Sequence, residues 1–493
     1  ASAAAKTWDG GDGLWTDFAW DGGGAPPGPA DDAVLPPGTY TVTVSGALST
    51  TIEVANLTIQ GGVLTCTGIA AFAVSGDVAI DTGAVRLISD MAVSSELRCG
   101  GDLTLDNGGT LDVYASMTNA AYPDYGARVW VADRMTLTNN SWVHLDLVWK
   151  TNTLNTAGST LFQMNSLEIA DGSGFNANLG GYATGQPGKG YGPGGGYPEA
   201  AGGGYGGYGG GNSPGYGAPY GSYLKPTEPG SSGYYRSGHP NVGRGGGAIW
   251  IECTNRVTLN GMLTANGESV TRYSGAGSGG GIYVRCQTIA SQTGRMRAKG
   301  GSTTVDYNPG AGGGGRIALA YDKMAQSNAA LGATIQFEVD PGFSARTSAS
   351  ADGTPGSIYL PDEQLYPQTW HSGGRFYFDA PVILTHPGDL TASYRLVEFA
   401  VPAVFSVGGD LTCSVTEGSP FASGGIAFLS NAVVTIGGGA TLYRSTLRFN
   451  GGGTGRCDGD LLVNRGSVVM GTNFLVAGHL SLTNSTTTLY GLT

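Results

Sequence analysis

The side chains best suited to proton transfer lie in the least repetitive part of the chain, residues 322–402. His371 and Arg375 are close together there, and four carboxylates are near them in sequence: Asp340, Asp362, Glu363 and Asp379. Acid–base catalysis needs paired groups whose pKa values are pushed apart, so such a set could cleave a polysaccharide. The alternative is a rim loop with a surface histidine. The chain has no Gly-x-Ser-x-Gly, His-Glu-x-x-His or phosphate-loop motif, so we assign no catalytic residue and favour a non-enzymatic role.

A regularly spaced acid recurs in phrases of the type Gly-Asp-Leu-Thr-Leu. Its positions are Asp77, Asp102, Asp410 and Asp460. Stacked aspartates could bind Ca²⁺, but no dense Asp-x-Asp-x-Asp loop supports this. We predict instead that each aspartate is a turn residue whose carboxylate accepts hydrogen bonds from local amides. The sequence therefore predicts no metal and no cofactor.

Six cysteines permit either disulfides or a ladder of buried thiols, and none of them forms a Cys-x-x-Cys pair. The interval from Cys66 to Cys99 equals the interval from Cys253 to Cys286. If this interval makes one structural repeat, each pair stacks on neighbouring strands roughly 4.8 Å apart, within disulfide range. The candidates are Cys66, Cys99, Cys253, Cys286, Cys413 and Cys457. Six cysteines allow 15 pairings, so spacing alone leaves disulfides and free thiols both open.

A segment rich in glycine and tyrosine occupies residues 180–247, with 27 of the 88 glycines and 10 of the 24 tyrosines. A disordered linker is one interpretation. Prolines at irregular intervals and repeat strands on both sides favour an ordered loop along the molecule. Its tyrosines could stack on sugar rings or on a partner protein, or they could only hold the loop in place. The candidate contact residues are Tyr205, Tyr208, Tyr216, Tyr220, Tyr223, Tyr234 and Tyr235.

An internal repeat indicates the fold. The phrase Gly-Gly-Gly-Ala-Ile-Trp-Ile-Glu-Cys at 245–253 returns in altered form at 279–286 and at 312–321. Each copy alternates buried and exposed positions with the period of a strand, and short strands at a fixed period are typical of solenoids. We predict an all-β, right-handed parallel β-helix with a long Gly/Tyr-rich loop.

The repeats and their interruptions divide the chain into six segments. At the N-terminus, Trp8, Trp15 and Trp20 predict a cap over the open end of the solenoid, with an aromatic ligand site as the alternative. The predicted segments are a Trp-rich cap at 1–39, β-helix turns at 40–179, the Gly/Tyr/Pro-rich loop at 180–247, 33-residue turns at 248–360, an irregular region at 361–402 and C-terminal turns at 403–493.

Composition limits the environment and the partners. Only 13% of residues are charged, the net charge is −12, and no basic patch with interleaved aromatics occurs, which disfavours nucleic-acid binding. No apolar run approaches the length of a membrane helix, so no membrane-spanning segment is expected. The small residues that open the chain are typical of signal-peptidase cleavage and predict secretion. The last turn, at 480–490, has no cap, so we expect self-association there or a longer natural chain.

The run from Phe175 to Leu360 resembles large secreted glycine-rich β-solenoid surface proteins known chiefly from bacterial genomes. The resemblance rests on Gly-rich–Ile-x-Ile phrases, on Gly-x-Ile-x-Ala-x-Gly-Gly and on Gly-Gly-Gly-Gly-Arg-Ile-Ala, which Gly312 to Ala318 match. It implies an extracellular or cell-surface location. That group has no single activity, so no catalytic residue follows from it.

Two functions remain from the sequence. The first is a secreted structural or adhesive solenoid, including a self-assembling subunit of a fibre, sheath or surface layer. The second is a polysaccharide-active enzyme or a glycan-binding protein on the same scaffold.

Overall fold

The structure is a computed structural model that describes most of the chain. The described residues are 4–90, 93–118, 121–148, 157–184, 187–198, 200–211, 217–238, 243–271, 273–304, 309–345, 351–366, 373–393, 396–414, 424–449, 452–470 and 473–489. Strands make up 46% and helices 3%, so the protein is nearly all β.

One sheet, the spine sheet, runs through the described chain with 15 parallel strands. Its strands are β5 (Thr51–Val54), β8 (Ala71–Val74), β11 (Glu96–Cys99), β14 (Ala127–Val131), β17 (Thr160–Met164), β20 (Ala248–Cys253), β23 (Gly281–Arg285), β25 (Arg316–Ala320), β27 (Ser357–Tyr359), β28 (Gly374–Tyr377), β31 (Leu396–Phe399), β34 (Gly424–Phe428), β37 (Ser445–Phe449), β40 (Ser467–Met470) and β43 (Thr486–Leu489).

Two lateral sheets complete the N-terminal turns. The first contains β1 (Ala4–Thr7), β3 (Asp31–Leu35), β6 (Asn56–Ile59), β9 (Val78–Asp81), β12 (Leu103–Asp106), β15 (Arg134–Leu137), β18 (Ser166–Ile169), β21 (Arg256–Leu259) and the start of β24 (Thr288–Arg297). The second contains β2 (Gly13–Leu14), β4 (Thr41–Ser45), β7 (Val63–Thr67), β10 (Ala84–Ile88), β13 (Thr110–Ala115), β16 (Trp142–Leu147), β19 (Gly174–Asn176), β22 (Met262–Thr264), the end of β24 and β26 (Ala333–Glu338).

The C-terminal turns have two further lateral sheets of five strands each. The third lateral sheet contains β29 (Val382–His386), β32 (Ala403–Val407), β35 (Ala432–Ile436), β38 (Gly453–Cys457) and β41 (Asn473–Val476). The fourth contains β30 (Leu390–Ser393), β33 (Leu411–Ser414), β36 (Ala440–Tyr443), β39 (Leu461–Asn464) and β42 (Leu480–Thr483). Helix α1 (Lys323–Ala329) precedes β26, the last strand of the second lateral sheet, and a 3₁₀ turn at Glu363–Leu365 precedes β29, the first strand of the third. The spine sheet continues through this region.

Each turn pairs in register and in parallel with the turns above and below it. Ile249 is opposite Ile282, and Ile282 is opposite Ile317, so the repeat seen in the sequence is one turn of a solenoid. Inward side chains of all sheets join one hydrophobic core that runs from Trp8 to Val468. The prediction of an all-β parallel solenoid is therefore confirmed.

The three N-terminal indoles pack on one another at the start of this core. Trp8, Trp15 and Trp20 are each at most 3% exposed. The ring of Trp20 lies 5.2 Å from that of Trp8 and 4.8 Å from that of Trp15, both edge to face. Because Trp15 also contacts Phe72, with ring centroids 5.3 Å apart, the indoles cover the first turns of the core and have little surface left for a ligand.

Glycine-rich segments form a second packed body against the solenoid, which we call the glycine bundle. Its described segments are 180–184, 200–211, 229–234, 243–247, 275–280 and 309–315. They belong to no sheet and bond in several directions: Gly275 N–H donates to the carbonyl of Tyr234 at 2.8 Å, and Ala276 N–H donates to that of Gly310 at 3.0 Å. As at the axis of collagen, only glycine leaves enough room for such close segments.

The Gly-Asp phrase has a structural cause that involves two turns. The Asp77 carboxylate accepts a hydrogen bond from the Asp102 amide of the next turn at 2.8 Å, and Asp102 accepts one from the Arg134 amide at 3.0 Å. Asp410 bonds Gly439, and Asp460 bonds His479 in the same way. The bonds therefore join neighbouring turns, whereas the sequence predicted bonds within one turn.

Replacing Gly101 with Ala should test this corner, because the new Cβ would lie well inside 3.0 Å of the Asp77 carboxylate. We expect a loss of stability of about 1–3 kcal/mol, read as a lower denaturant midpoint. Gly388→Ala, where a Cβ meets nothing within 4 Å, should be close to neutral. In an Asp77→Ala background, Gly101→Ala should cause a smaller loss of stability, because the clashing carboxylate is gone. Strictly additive losses in the double variant would contradict a contact between Gly101 and the Asp77 carboxylate of the neighbouring turn.

The disulfide alternative was wrong, because all six cysteines are free and buried. Cys66 lies in the second lateral sheet opposite Val44 and Leu87, whereas Cys99 lies in the spine sheet. Cys253 and Cys286 do stack, but side chains at one register project in the same direction. Their Cβ atoms thus stay roughly 4.8 Å apart, beyond the roughly 3.5–4.5 Å that a disulfide needs. Burial raises the pKa of Cys286 to about 12.

Candidate functional site

The outer face of the spine sheet carries an apolar column that the period-two alternation places away from the core. Leu161, Trp250, Tyr283 and Ala318 occupy one register in four successive turns. With Tyr359 they form a hydrophobic cluster separate from the core. An aromatic strip on the outside of a sheet needs a cover or a ligand.

The Gly/Tyr-rich segment covers part of this strip. The ammonium group of Lys225 lies 4.3 Å from the centre of the Trp250 ring, a cation–π distance. The ring of Tyr223 stacks on Tyr377 with centroids 4.1 Å apart and planes at 17°. Trp250 is consequently only 4% exposed. The open surface of the spine sheet lies beside Trp250.

A groove of about 660 Å³ runs beside this strip. It follows a second column of outward side chains, two residues further along each spine strand, and reaches the residues that follow the strands. In that column Trp130, Gln163, Glu252 and Arg285 are at one register in four successive turns. Four turns at roughly 4.8 Å per step span roughly 14 Å from first to last. The remaining lining residues are Val131, Ala132, Met164, Asn165, Cys253, Thr254, Tyr283, Cys286, Gln287, Ala320, Tyr321 and Asp322.

The groove combines an aromatic wall with side-chain amides. Trp130 is half-buried, and Gln163 is partly exposed beside it. An amide both donates and accepts hydrogen bonds, so Gln163 and Gln287 can bind hydroxyl groups. Glu252 is already engaged, because it accepts from the Trp250 indole at 2.9 Å and lies 3.6 Å from Lys225.

Of the predicted contact tyrosines, Tyr205 lies inside the glycine bundle and Tyr220 packs against it. Tyr205 is fully buried and donates its hydroxyl to Glu228 at 3.0 Å. Tyr220 donates to the carbonyl of Pro229 at 2.5 Å and packs on Tyr205 with ring centroids 4.8 Å apart. Burial raises the pKa of both phenols well above the usual value. These two tyrosines therefore hold the Gly/Tyr-rich segment in place and do not contact a ligand.

The other predicted tyrosines are more accessible but dispersed. Tyr208 is 49% exposed and Tyr223 is 38% exposed, while Tyr234 and Tyr235 are half-buried. Tyr216 lies outside the described residues. Sequence reasoning missed the groove itself, although the repeat that aligns Ile249 with Ile282 also aligns Trp250 with Tyr283.

The carboxylates of the irregular region do not form one site. Asp362 begins the 3₁₀ turn and accepts the Tyr321 hydroxyl. Asp379 accepts the Tyr359 hydroxyl at 2.5 Å and pairs with Lys323 at 3.2 Å. Arg375 pairs with Glu398 at 2.8 Å.

Asp340 lies apart from these carboxylates, 3.7 Å from Lys299. Glu363 lies within the 3₁₀ turn. His371 is outside the described residues. Asp340, Asp362 and Asp379 are therefore structural partners of nearby tyrosines and cations.

A charged cluster lies on the outer face of the second lateral sheet. Asp112 is stacked between Arg86 and His144, at 3.2 Å from Arg86 Nε and 2.9 Å from His144 Nδ1. Burial raises the pKa of Asp112, but the bonds to His144 and Arg86 outweigh it and hold that pKa below its usual value. Sequence spacing did not reveal this cluster because its members come from three turns.

Within the described ranges, no group of three His, Cys, Asp or Glu side chains is close enough to hold a metal ion. The helices among these residues are too short or too polar to cross a membrane.

The fold and the groove define an all-β parallel solenoid with an aromatic-walled outer groove. Comparisons with family models, with curated proteins and with solved structures found no match to this chain. The groove itself must therefore support any functional proposal.

Proposed function

We propose that this protein is a secreted, extracellular or cell-surface solenoid, coiled in the right-handed sense, with an adhesive role. Its adhesive surface is the groove beside Trp250, and the ligand is a polysaccharide. The observation that carries this proposal is the single register of Trp130, Gln163, Glu252 and Arg285 along the groove.

The chemistry of the groove suits a hydroxyl-rich chain. The Trp130 ring offers a flat apolar surface with a polar edge, which can lie against a sugar ring. Gln163 and Gln287 supply donors and acceptors for hydroxyl groups. Because each turn adds one outward side chain at a spacing of roughly 4.8 Å, an extended ligand can lie along the groove and contact several turns at once.

The carboxylates of the groove support binding more than cleavage. Glu252 is bonded to the Trp250 indole and lies near Lys225. Asp322 caps helix α1 by accepting from the Ala325 amide at 2.8 Å. Glycoside hydrolysis needs one carboxyl group to deliver a proton and a second to act as base or nucleophile, and both of these carboxylates already have partners.

Trp130→Ala should weaken polysaccharide binding by about 10–100-fold, because the loss of an aromatic contact costs roughly 1–3 kcal/mol. Trp142→Ala is the matched control, since Trp142 is also half-buried but lies on the second lateral sheet. The measurement is a panel of immobilised polysaccharides, followed by calorimetry with the best ligand. The adhesive proposal fails if no polysaccharide binds, or if both variants lose binding equally.

A self-assembling structural subunit is the second candidate. On the outer face of the third lateral sheet, Ile383, Val404 and Val433 are at one register in three turns and are 63%, 40% and 48% exposed. Such a row of exposed apolar side chains can associate with another copy. Filaments in negative-stain microscopy would support this function, whereas a monodisperse monomer at high concentration would count against it.

A further inference from the structure

Three sulfur atoms stack at one inward register at the end of the spine strands. Met164 is opposite Cys253. Because Glu252 is opposite Arg285 in the next pair of strands, Cys253 is followed by Cys286 one turn further along. The three side chains come from three successive turns, so the fold brings them together although the Gly/Tyr-rich segment separates Met164 from Cys253 in the chain.

The stacking interval fits a two-coordinate metal. Neighbouring parallel strands lie roughly 4.8 Å apart. Two thiolates that share one metal ion at roughly 2.3 Å each are roughly 4.6 Å apart. Stacked cysteines are therefore too far apart for a disulfide without movement of the side chains, yet well spaced for a bridging ion.

The three residues border the groove, although their side chains are buried. Met164, Cys253 and Cys286 line the groove, and they are 3%, 5% and 6% exposed. At the same inward register, the turn before Met164 contributes Val131 and the turn after Cys286 contributes Tyr321. Both side chains are buried. An ion that entered from the groove would thus leave water for a largely apolar, sulfur-lined position.

We propose that Cys253 and Cys286 bind a soft monovalent cation, Cu(I), between their sulfur atoms, with the Met164 thioether one turn beyond Cys253 as part of the soft surroundings of the site. Thiolate and thioether ligands select Cu(I), whereas carboxylate and carbonyl oxygens suit harder cations. Binding forms two Cu–S bonds and releases the two thiol protons to solvent, with no change of oxidation state. The copper site does not require polysaccharide binding, although both sites border the same groove.

The test is an anaerobic titration of the full chain with Cu(I), kept reduced by ascorbate, against a colorimetric Cu(I) chelator. One tightly bound Cu(I) per chain is expected. Cys286→Ser and Cys253→Ser should each lower the affinity by at least about 100-fold, because each removes one of the two thiolate ligands. Cys413→Ser is the matched control with no expected change, because this buried thiol is opposite Ala392 and Leu442.

X-ray absorption of the copper-loaded wild-type protein provides a second test that does not depend on the folding of a variant. A shell of sulfur atoms at roughly 2.3 Å is expected. A shell of nitrogen or oxygen, the absence of a tight site, or an equal loss of affinity in Cys413→Ser would each overturn the proposal.

Discussion

Replacing Gly275 with Ala should unfold the glycine bundle and leave the distant turns of the solenoid folded. A Cβ at this position would lie well inside 3.0 Å of the Ala201 carbonyl oxygen, and that neighbour is backbone that cannot rotate away. The two segments must separate, and the hydrogen bonds of Gly275 to Tyr234 and of Ala276 to Gly310 are lost with them. We expect a cost above about 4 kcal/mol, in the range of mutations that break a packed network.

The measurement combines limited proteolysis with near-ultraviolet circular dichroism. Cleavage should begin within residues 180–247, and the tyrosine signal should fall because Tyr205 is fully buried in the bundle. Gly332→Ala is the control, since a Cβ there meets nothing within 4 Å, and it should leave both signals unchanged. A Gly275→Ala protein as resistant to protease as the wild type would contradict the packing of the bundle.

The spine sheet holds the Gly/Tyr-rich segment beside the binding groove. Arg316 on β25 donates to the carbonyl of Tyr220 at 2.9 Å and to the hydroxyl of Ser357 at 2.8 Å. The bond to Ser357 orients Arg316, and the bond to Tyr220 fixes the segment that carries Lys225 over Trp250. The segment that looked most like a binding element in the sequence therefore acts as a wall, and the solenoid face beside it provides the open surface.

The parts of the fold that could be predicted are those that repeat at nearly constant length. Ile249, Ile282 and Ile317 share one register because successive turns there are almost equally long. Near the N-terminus the turn length varies, since Leu64, Val85 and Leu111 also share one register although their spacings in the chain are unequal. The interval between Cys66 and Cys99 is longer than either of these turns. It consequently does not correspond to one turn.

The groove and the charged clusters could not be predicted because they depend on contacts between turns and on a distant segment. An outward aromatic such as Trp250 is expected to face solvent when a strand is considered alone. Its cover, Lys225, comes from a segment without periodicity. Likewise, the partner of Asp77 is the Asp102 amide of the next turn, which no local turn preference specifies.

Glu338→Gln should produce the second largest loss of stability. The Glu338 carboxylate is 6% exposed, lies 2.7 Å from Arg297 and also pairs with Lys299. Removing the negative charge leaves two cations facing each other in a partly buried site. Loss of one partner from a buried ion pair costs roughly 3–5 kcal/mol, and since the two cations keep some contact with water we expect about 2–3 kcal/mol at neutral pH.

The same variant has a defined pH dependence. Burial raises the pKa of Glu338, but Lys299 and Arg297 outweigh it and hold that pKa below the ordinary value of 4.5. A carboxylate whose pKa is lowered by folding stabilises the protein above its unfolded pKa, and this contribution is lost as the pH falls through the folded pKa. The stability difference between wild type and Glu338→Gln should therefore be full at pH 7 and should shrink below pH 4.5.

Denaturant unfolding at several pH values measures both effects. Glu53→Gln is the control, because Glu53 is exposed on β5 and a surface change of this kind is usually within about 0.5 kcal/mol. A pH-independent difference would mean that Glu338 acts through packing and not through its charge. A difference that grew on acidification would contradict the lowered pKa, because it would require the protonated form of Glu338 to be the one that the fold stabilises.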